Sequence, residues 1–196
     1  ALDSIITPFG EANDALGGSA VYFSVAASLL TGVRVVGVVG DDYPMTKLKE
    51  IGARGVDFSG VEQARGESFR WKGKYAFDLA SRETLETRLG VFADFRPKIP
   101  AAFTETPFVF LGNIHPDLQL AVLDQMRTPR LVACDTMDFW IHSARDRLLE
   151  VLARVDLLIV NDEEIRQLSG DWNVHRAARW VLDRGPKRVV VKRGEH

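Results

Sequence analysis

Leu157-Leu158-Ile159-Val160-Asn161-Asp162-Glu163-Glu164 is the stretch on which the fold of this chain turns. Four apolar residues in a row make a short strand of the kind covered on both faces. The polar residues that follow are those that start a helix. Asn161 or Asp162 can cap it, and the glutamates complement the positive end of its dipole. A buried strand running straight into a capped helix is the repeating unit of a parallel α/β sheet.

The same texture recurs on both sides. Val33–Val39, Phe108–Leu111, Leu131–Cys134 and Val189–Val191 are nearly all apolar. Between them lie stretches of helical length: Gly18–Leu30, Asp117–Met126, Arg145–Arg154 and Val174–Asp183. In Arg145–Arg154 the residues Leu148, Leu149 and Leu152 form one stripe, and Ala177, Ala178, Val181 and Leu182 do so in Val174–Asp183. This alternation predicts an α/β fold with a doubly wound parallel sheet. Residues 66–95 break the rhythm. Phe69, Trp71, Tyr75 and Phe77, then Leu85, Thr87, Leu89 and Val91, alternate with polar residues at period two. That pattern predicts half-exposed antiparallel strands, a small sheet inserted as a lid or a dimerisation surface. The expected division is an α/β domain over 1–60 and 97–196, incomplete at both ends, with a β-sheet lid over 61–96. The exposed edges of such a sheet need a partner, which points to a homodimer through the lid.

Composition narrows the function classes. The chain has 196 residues, 46% of them hydrophobic, which is ample for a core. With 25 basic against 27 acidic side chains, the total shows no electrostatic footprint for nucleic acid or an anionic membrane. No apolar run reaches the roughly 18 residues of a membrane span. A single cysteine, Cys134, excludes a disulfide framework and a thiolate zinc site. The default compartment is the cytoplasm. The chain opens at Ala1 without an initiator methionine and closes as an apolar strand enters a turn, so a segment of a longer protein is expected.

Three places offer chemistry. Leu16-Gly17-Gly18-Ser19-Ala20 puts paired glycines at the start of a helix. There a ligand can approach the backbone and the free N–H donors, although a tight turn with close packing explains the pair equally well. Asn161-Asp162-Glu163-Glu164 lies at the carboxyl end of a strand, where open α/β sheets bind ligands. Its carboxylates suit water-held Mg²⁺ beside a phosphate, and they suit a plain helix cap. Lys192-Arg193-Gly194 is either a phosphate contact or a charged turn. His115, His142, His175 and His196 show no metal spacing, and no G-x-S-x-G elbow occurs. Cys134 reads as a buried core residue. Trp140, Trp172 and Trp180 read as packing, whereas Trp71 on the inserted sheet is placed to face a ligand or a partner.

Taken in order, these features resemble the PfkB family of carbohydrate and nucleoside kinases, the ribokinase-like group. Asp3 looks like the family's aspartate that binds substrate hydroxyls. Residues Gly17 to Ala27 resemble the first family signature, and Val36-Gly37-Val38-Val39-Gly40-Asp41-Asp42 is similar to the stretch that closes it. The period-two insert falls where such kinases carry a β-lid. Asn161 to Glu164 matches the family's N-x-x-E motif, and Lys192-Arg193-Gly194-Glu195-His196 looks like the start of the nucleotide-lining segment. Two positions depart from the sugar-kinase pattern. Tyr22 stands where many members have Asn, and Gly112-Asn113 stands where members often have a glutamate. The family's G-A-G-D motif does not occur in the chain.

The resemblance implies a ribokinase-like three-layer fold and transfer of the γ-phosphoryl group of ATP to a hydroxyl of a sugar or sugar-like acceptor, with Mg²⁺. It implies that Asp3, Gly17, Gly18, Tyr22 and Asn113 bind the acceptor. Asn161, Lys192 and Gly194 would bind the nucleotide phosphates, and Glu164 would hold Mg²⁺ through water. The base aspartate is expected after His196. Two alternatives stay open. One is a nucleoside kinase, with Tyr22, or Trp71 and Tyr75, stacking on a base. The other is a non-catalytic sugar- or nucleotide-binding module.

Overall fold

In the computed structural model, residues 1–79 and 81–194 are described, and the chain divides into two units, 1–98 and 99–196. The first unit opens with a hairpin of β1 (Leu2–Thr7) and β2 (Gly10–Leu16). Helix α1 (Ser19–Ala27) follows, then β3 (Val33–Val39), α2 (Met45–Gly52) and β4 (Val56–Gln63). The pair β3 and β4 is parallel with α2 between them, a βαβ unit. Leu2, Val39, Tyr43 and Leu48 form the core here, with Leu16, Met45, Phe58 and Val61 packed around it.

The period-two stretch gives β5 (Arg70–Tyr75) and β6 (Arg82–Arg88), paired antiparallel as the alternation requires. Leu89 and Val91 fall outside, at a 3₁₀ turn over 90–94. The segment 61–96 does not form a sheet by itself. Residues 61–63 stay in β4, paired with β3, and β5 pairs in parallel with β1. The result is a four-stranded sheet ordered β2-β1-β5-β6. The physical reason is edge satisfaction: β1 supplies hydrogen-bonding partners for β2 on one side and β5 on the other.

The second unit is a parallel sheet of β7 (Phe108–Leu111), β8 (Leu131–Asp135), β9 (Leu157–Asn161) and β10 (Arg188–Lys192), ordered β10-β9-β8-β7. Its connections carry α3 (Pro116–Leu123), α4 (Asp138–Ser143), α5 (Arg145–Leu152), α6 (Asp162–Ser169) and α7 (Val174–Leu182). The leucine stripe of α5 and the apolar faces of α6 and α7 bury Leu148, Leu152, Ile165, Leu168 and Val181 against Leu158 and Val160 of β9. Each helix start is fixed locally. Pro116 takes the first turn of α3, Asn161 caps α6, and Asn173 caps α7 by accepting from the N–H groups of His175 and Arg176. Gly170, left-handed at φ 74°, ends α6.

Cys134 is fully buried, and burial pushes its thiol up to about 12, which leaves it an inert core residue. Trp180 packs on the core with the Arg184 guanidinium 3.3 Å from its ring. Trp172 overturns the packing expectation. It is 86% exposed because it lies in the short turn between α6 and α7, beyond the stripe either helix buries.

Leu158→Ala should therefore lower unfolding free energy by about 2–5 kcal/mol, the range for emptying a close-packed core site. Trp172→Ala should stay within about 0.5 kcal/mol. Urea denaturation of the two variants checks both. Equal losses would mean that the second unit is not cored as described.

Candidate functional site

In the first unit, Asp3 and the glycine pair come together as the sequence suggests. Asp3 is the register partner of Ala15 across the β1–β2 hairpin, so the chain leaving β2 passes directly beneath its carboxyl group. A Cβ on Gly17 would fall inside that carboxyl, so only glycine fits. Gly18, at φ 84°, turns its backbone N–H onto the Asp3 carboxylate and opens α1 with no side-chain cap. Burial pushes the Asp3 carboxyl above its ordinary range, against the pull of the Gly18 N–H. Burial and the charge of Asp3 push the neighbouring Tyr43 hydroxyl up to about 12. Among the described residues no ion pair neutralises Asp3. Tyr22 stands one turn along α1 and is 61% exposed.

Asp42 has a different task. Ser68 donates to it through its hydroxyl at 2.7 Å and its N–H at 2.8 Å, and the Gly40 N–H donates to the Ser68 hydroxyl at 2.9 Å. Arg70 bridges Asp42, at 2.7 Å, and Asp14. In spite of burial, these bonds hold the Asp42 carboxyl below its usual range. The network ties the loop after β3 to the start of β5. The motif that closes the signature is therefore a structural clamp.

In the second unit, polar residues gather at the carboxyl ends of the strands: Asn113 after β7, Asp135 on β8, Asn161 on β9 and Lys192 on β10. Lys192 is the register partner of Asn161, and Asp135 that of Ile159. Gln119, almost fully buried on α3, donates to the Gly112 carbonyl at 2.9 Å and the Asp135 carbonyl at 3.0 Å, which locks the ends of β7 and β8 together. Asn161 and Glu164 form a reciprocal capping box. The Asn161 side chain accepts from the Glu164 N–H, and the Glu164 carboxylate accepts from the Asn161 N–H, each at 2.7 Å.

The three carboxylates after Asn161 do not converge. Asp162 pairs with Arg166 at 2.5 Å, Glu163 accepts from Gln167, and Glu164 is held in the box. Among the described residues no group of three or more His, Cys, Asp or Glu is placed to hold a metal ion. The buried Glu164 carboxylate, held by the capping box, still fits a hydrated Mg²⁺ that takes its inner ligands from water and phosphate.

Asn113 is engaged by Trp140, whose indole N–H donates to its side-chain oxygen at 3.0 Å, while His115 meets the same indole edge-on. Gly194 is left-handed at φ 62° with open space around its Cα. Glu195 and His196, part of the predicted nucleotide segment, lie outside the described residues. Asp135 is the residue that the sequence reading missed. Burial raises its carboxyl, with Lys192 pulling the other way. A polar residue closing an apolar strand, the signal that singled out Asn161, marks it equally well.

Comparison with known proteins bears on the family and the fold. The family description "pfkB family carbohydrate kinase" matches residues 9–196. A cytidine kinase of Thermococcus kodakarensis is 28% identical over 201 residues, covering 99% of this chain and 70% of that protein. An E. coli protein described as a ribokinase II superposes with a TM-score of 0.77 at 17% identity, over 100% of this chain and 70% of the other. The ribokinase of Thermotoga maritima gives 0.73 at 20%, over 99% and 69%. The E. coli protein is also known in complex with ATP and Mg²⁺. The fold is ribokinase-like α/β.

The state of Asp3 has a measurable consequence. Its folded carboxyl titrates above the ordinary value of 3.8, so folding opposes its ionised form. That cost is complete above the folded value and vanishes as pH falls through it to below 3.8. Asp3→Asn should therefore stabilise the protein at pH 7 and not at pH 3, as read by chemical denaturation. A loss at pH 7 would show that the carboxylate holds the loop together.

Proposed function

The chain belongs to the pfkB family of carbohydrate kinases, phosphotransferases acting on a hydroxyl, and on that premise we propose that Asp3 receives the acceptor and the strand ends of the second unit receive the nucleotide. The observation that carries this is the half-buried Asp3 carboxylate, raised by burial and matched by no ion pair among the described residues. A carboxylate kept in such a place at a cost to stability is a ready acceptor for sugar hydroxyls, whose O–H groups replace the water it has lost. Gly17 makes room for the Asp3 carboxylate and Gly18 gives the turn its positive φ, so the pair holds that carboxylate where the sugar meets it, with Tyr22 at the rim.

Phosphoryl transfer asks for alignment and charge stabilisation more than for covalent chemistry by the protein. Asn161, Lys192 and Gly194 contact the phosphates of ATP, and Asp135, two strands away on β8, feels the charge of Lys192 across β9. Glu164 would hold water around a bound Mg²⁺, and the capping box keeps its carboxylate in place for that. When bound with the nucleotide, Mg²⁺ supplies charge neutralisation at the phosphates. The group that accepts the hydroxyl proton is assigned by the resemblance to an aspartate after His196. Asn113 is held at the end of β7 by Trp140, whose indole N–H takes one acceptor position of its side-chain oxygen.

The β5–β6 half of the four-stranded sheet acts as the lid and excludes water, the competing acceptor. All of β6 is exposed, and pairing of such edges between two copies gives the homodimer. Among the described residues no helix is long and apolar enough to cross a membrane.

The test is an ATP-dependent acceptor screen with the natural full-length protein. Asp3→Asn should raise the acceptor KM at least tenfold and leave the ATP KM unchanged, about the value of one charged hydrogen bond. Glu164→Gln, which keeps the cap, should raise the Mg²⁺ concentration for half-maximal rate. An unchanged Mg²⁺ titration would leave Glu164 a capping residue alone.

A further inference from the structure

Trp71 stands beside Asp3 in the sheet. The two are register partners in the parallel pairing of β1 with β5, so their side chains leave the same face. Farther along that face come Ile5 of β1, Gly73 and Tyr75 of β5, and Thr84 of β6, the register partner of Gly73. The Trp71 indole does not stand upright. A Cβ on Gly73 would collide with Cη2, Cζ2 and Cζ3 of the indole, so the ring leans along the strand and its outer edge takes the space that only a glycine leaves open. Its N–H donates to the Thr84 hydroxyl at 3.2 Å, and Tyr75 meets it edge-on with centroids 6.5 Å apart. Gly73 is buried beside it, while Trp71 keeps part of its surface exposed.

Three independent constraints therefore hold one aromatic ring on the face that carries the acceptor carboxylate. A tryptophan that merely filled space on a half-exposed sheet would need neither a glycine beside it nor a hydrogen bond to set its rotation. We propose that Trp71 is the specificity-determining residue of the acceptor site, a platform for a planar heteroaromatic base, so that the acceptor is a nucleoside. This rests on the assignment of Asp3 as the hydroxyl-binding residue. Spacing favours a base over a bare sugar. Gly73 lies two residues along the strand from the partner of Asp3, about 6.6 Å at the rise of a strand. A monosaccharide whose hydroxyls bond Asp3 ends near that point. A base attached to the ribose extends beyond it, onto the indole.

Calorimetric titration of the intact protein with adenosine, cytidine and free ribose tests this, using the parent, Trp71→Leu, Trp71→Phe and Asp3→Asn. The parent should bind at least one nucleoside more tightly than ribose. Trp71→Leu should weaken that nucleoside by roughly tenfold or more, the usual loss of a stacked base, and leave ribose unchanged. Trp71→Phe should restore most of the loss, and thermal unfolding of each variant confirms that it is folded. Nucleoside affinity unaffected by Trp71→Leu but lost in Asp3→Asn overturns the platform and keeps the acceptor assignment. Ribose bound as tightly as both nucleosides also overturns the platform. Binding unaffected by Asp3→Asn overturns the acceptor assignment itself.

Discussion

The Asp3 carboxylate occupies the place where a side chain on Gly17 would be, and much of the first unit follows from that close approach. Residue 17 must be glycine, and the chain must turn at Gly18 with a positive φ before α1 can begin. The hairpin register that brings Gly17 under Asp3 sets β2 on one side of β1, and the opposite edge of β1 is left for β5. Through that second pairing Trp71 arrives beside Asp3. One carboxylate thus links the glycine pair, the start of a helix and the sheet that covers them.

The second unit answers a different constraint. Parallel strands buried on their helix-covered face leave polar chemistry only where the backbone emerges. Asn113, Asp135, Asn161 and Lys192 stand at those ends. Two devices make the edge rigid: Gln119 joins the ends of β7 and β8, and the capping box joins β9 to α6. In the box, the atoms that stabilise the helix are the ones to which the proposed phosphate and metal roles fall. Asn161 stabilises its helix through the contacts that hold Glu164 at one angle toward the strand ends.

The sequence carried the parallel strands plainly, because β3 of the first unit and β7, β8, β9 and β10 of the second are apolar runs and the helices beside them carry clean stripes. It carried β1 and β2 poorly. Leu2–Thr7 mixes polar and apolar residues without alternation, and Gly10–Leu16 is made of Gly, Glu, Ala, Asn and Asp, poor strand formers that pair only because the hairpin and β1 impose it. The four-stranded sheet was therefore legible only in its β5–β6 half. In the candidate site, Asp3 entered only through the family resemblance, whereas the glycine pair opening a helix and the cap at Asn161 were legible from the residues themselves. The divergence of the carboxylates after Asn161 was not, since Arg166 and Gln167 on the next helical turn draw Asp162 and Glu163 away. Nor was the seat of Trp71, because period two gives the face a residue points to and not the glycine that leaves room for its ring.

Site-resolved NMR titration of the Asp3 carboxyl, with and without a saturating acceptor, decides whether the acceptor binds there. In the free protein the carboxyl should titrate above the ordinary aspartate value. Bound acceptor should move it down, because hydroxyls donating to the charged form favour that form. A titration that the acceptor leaves unmoved would contradict the account, since the carboxylate would then not be where the acceptor binds.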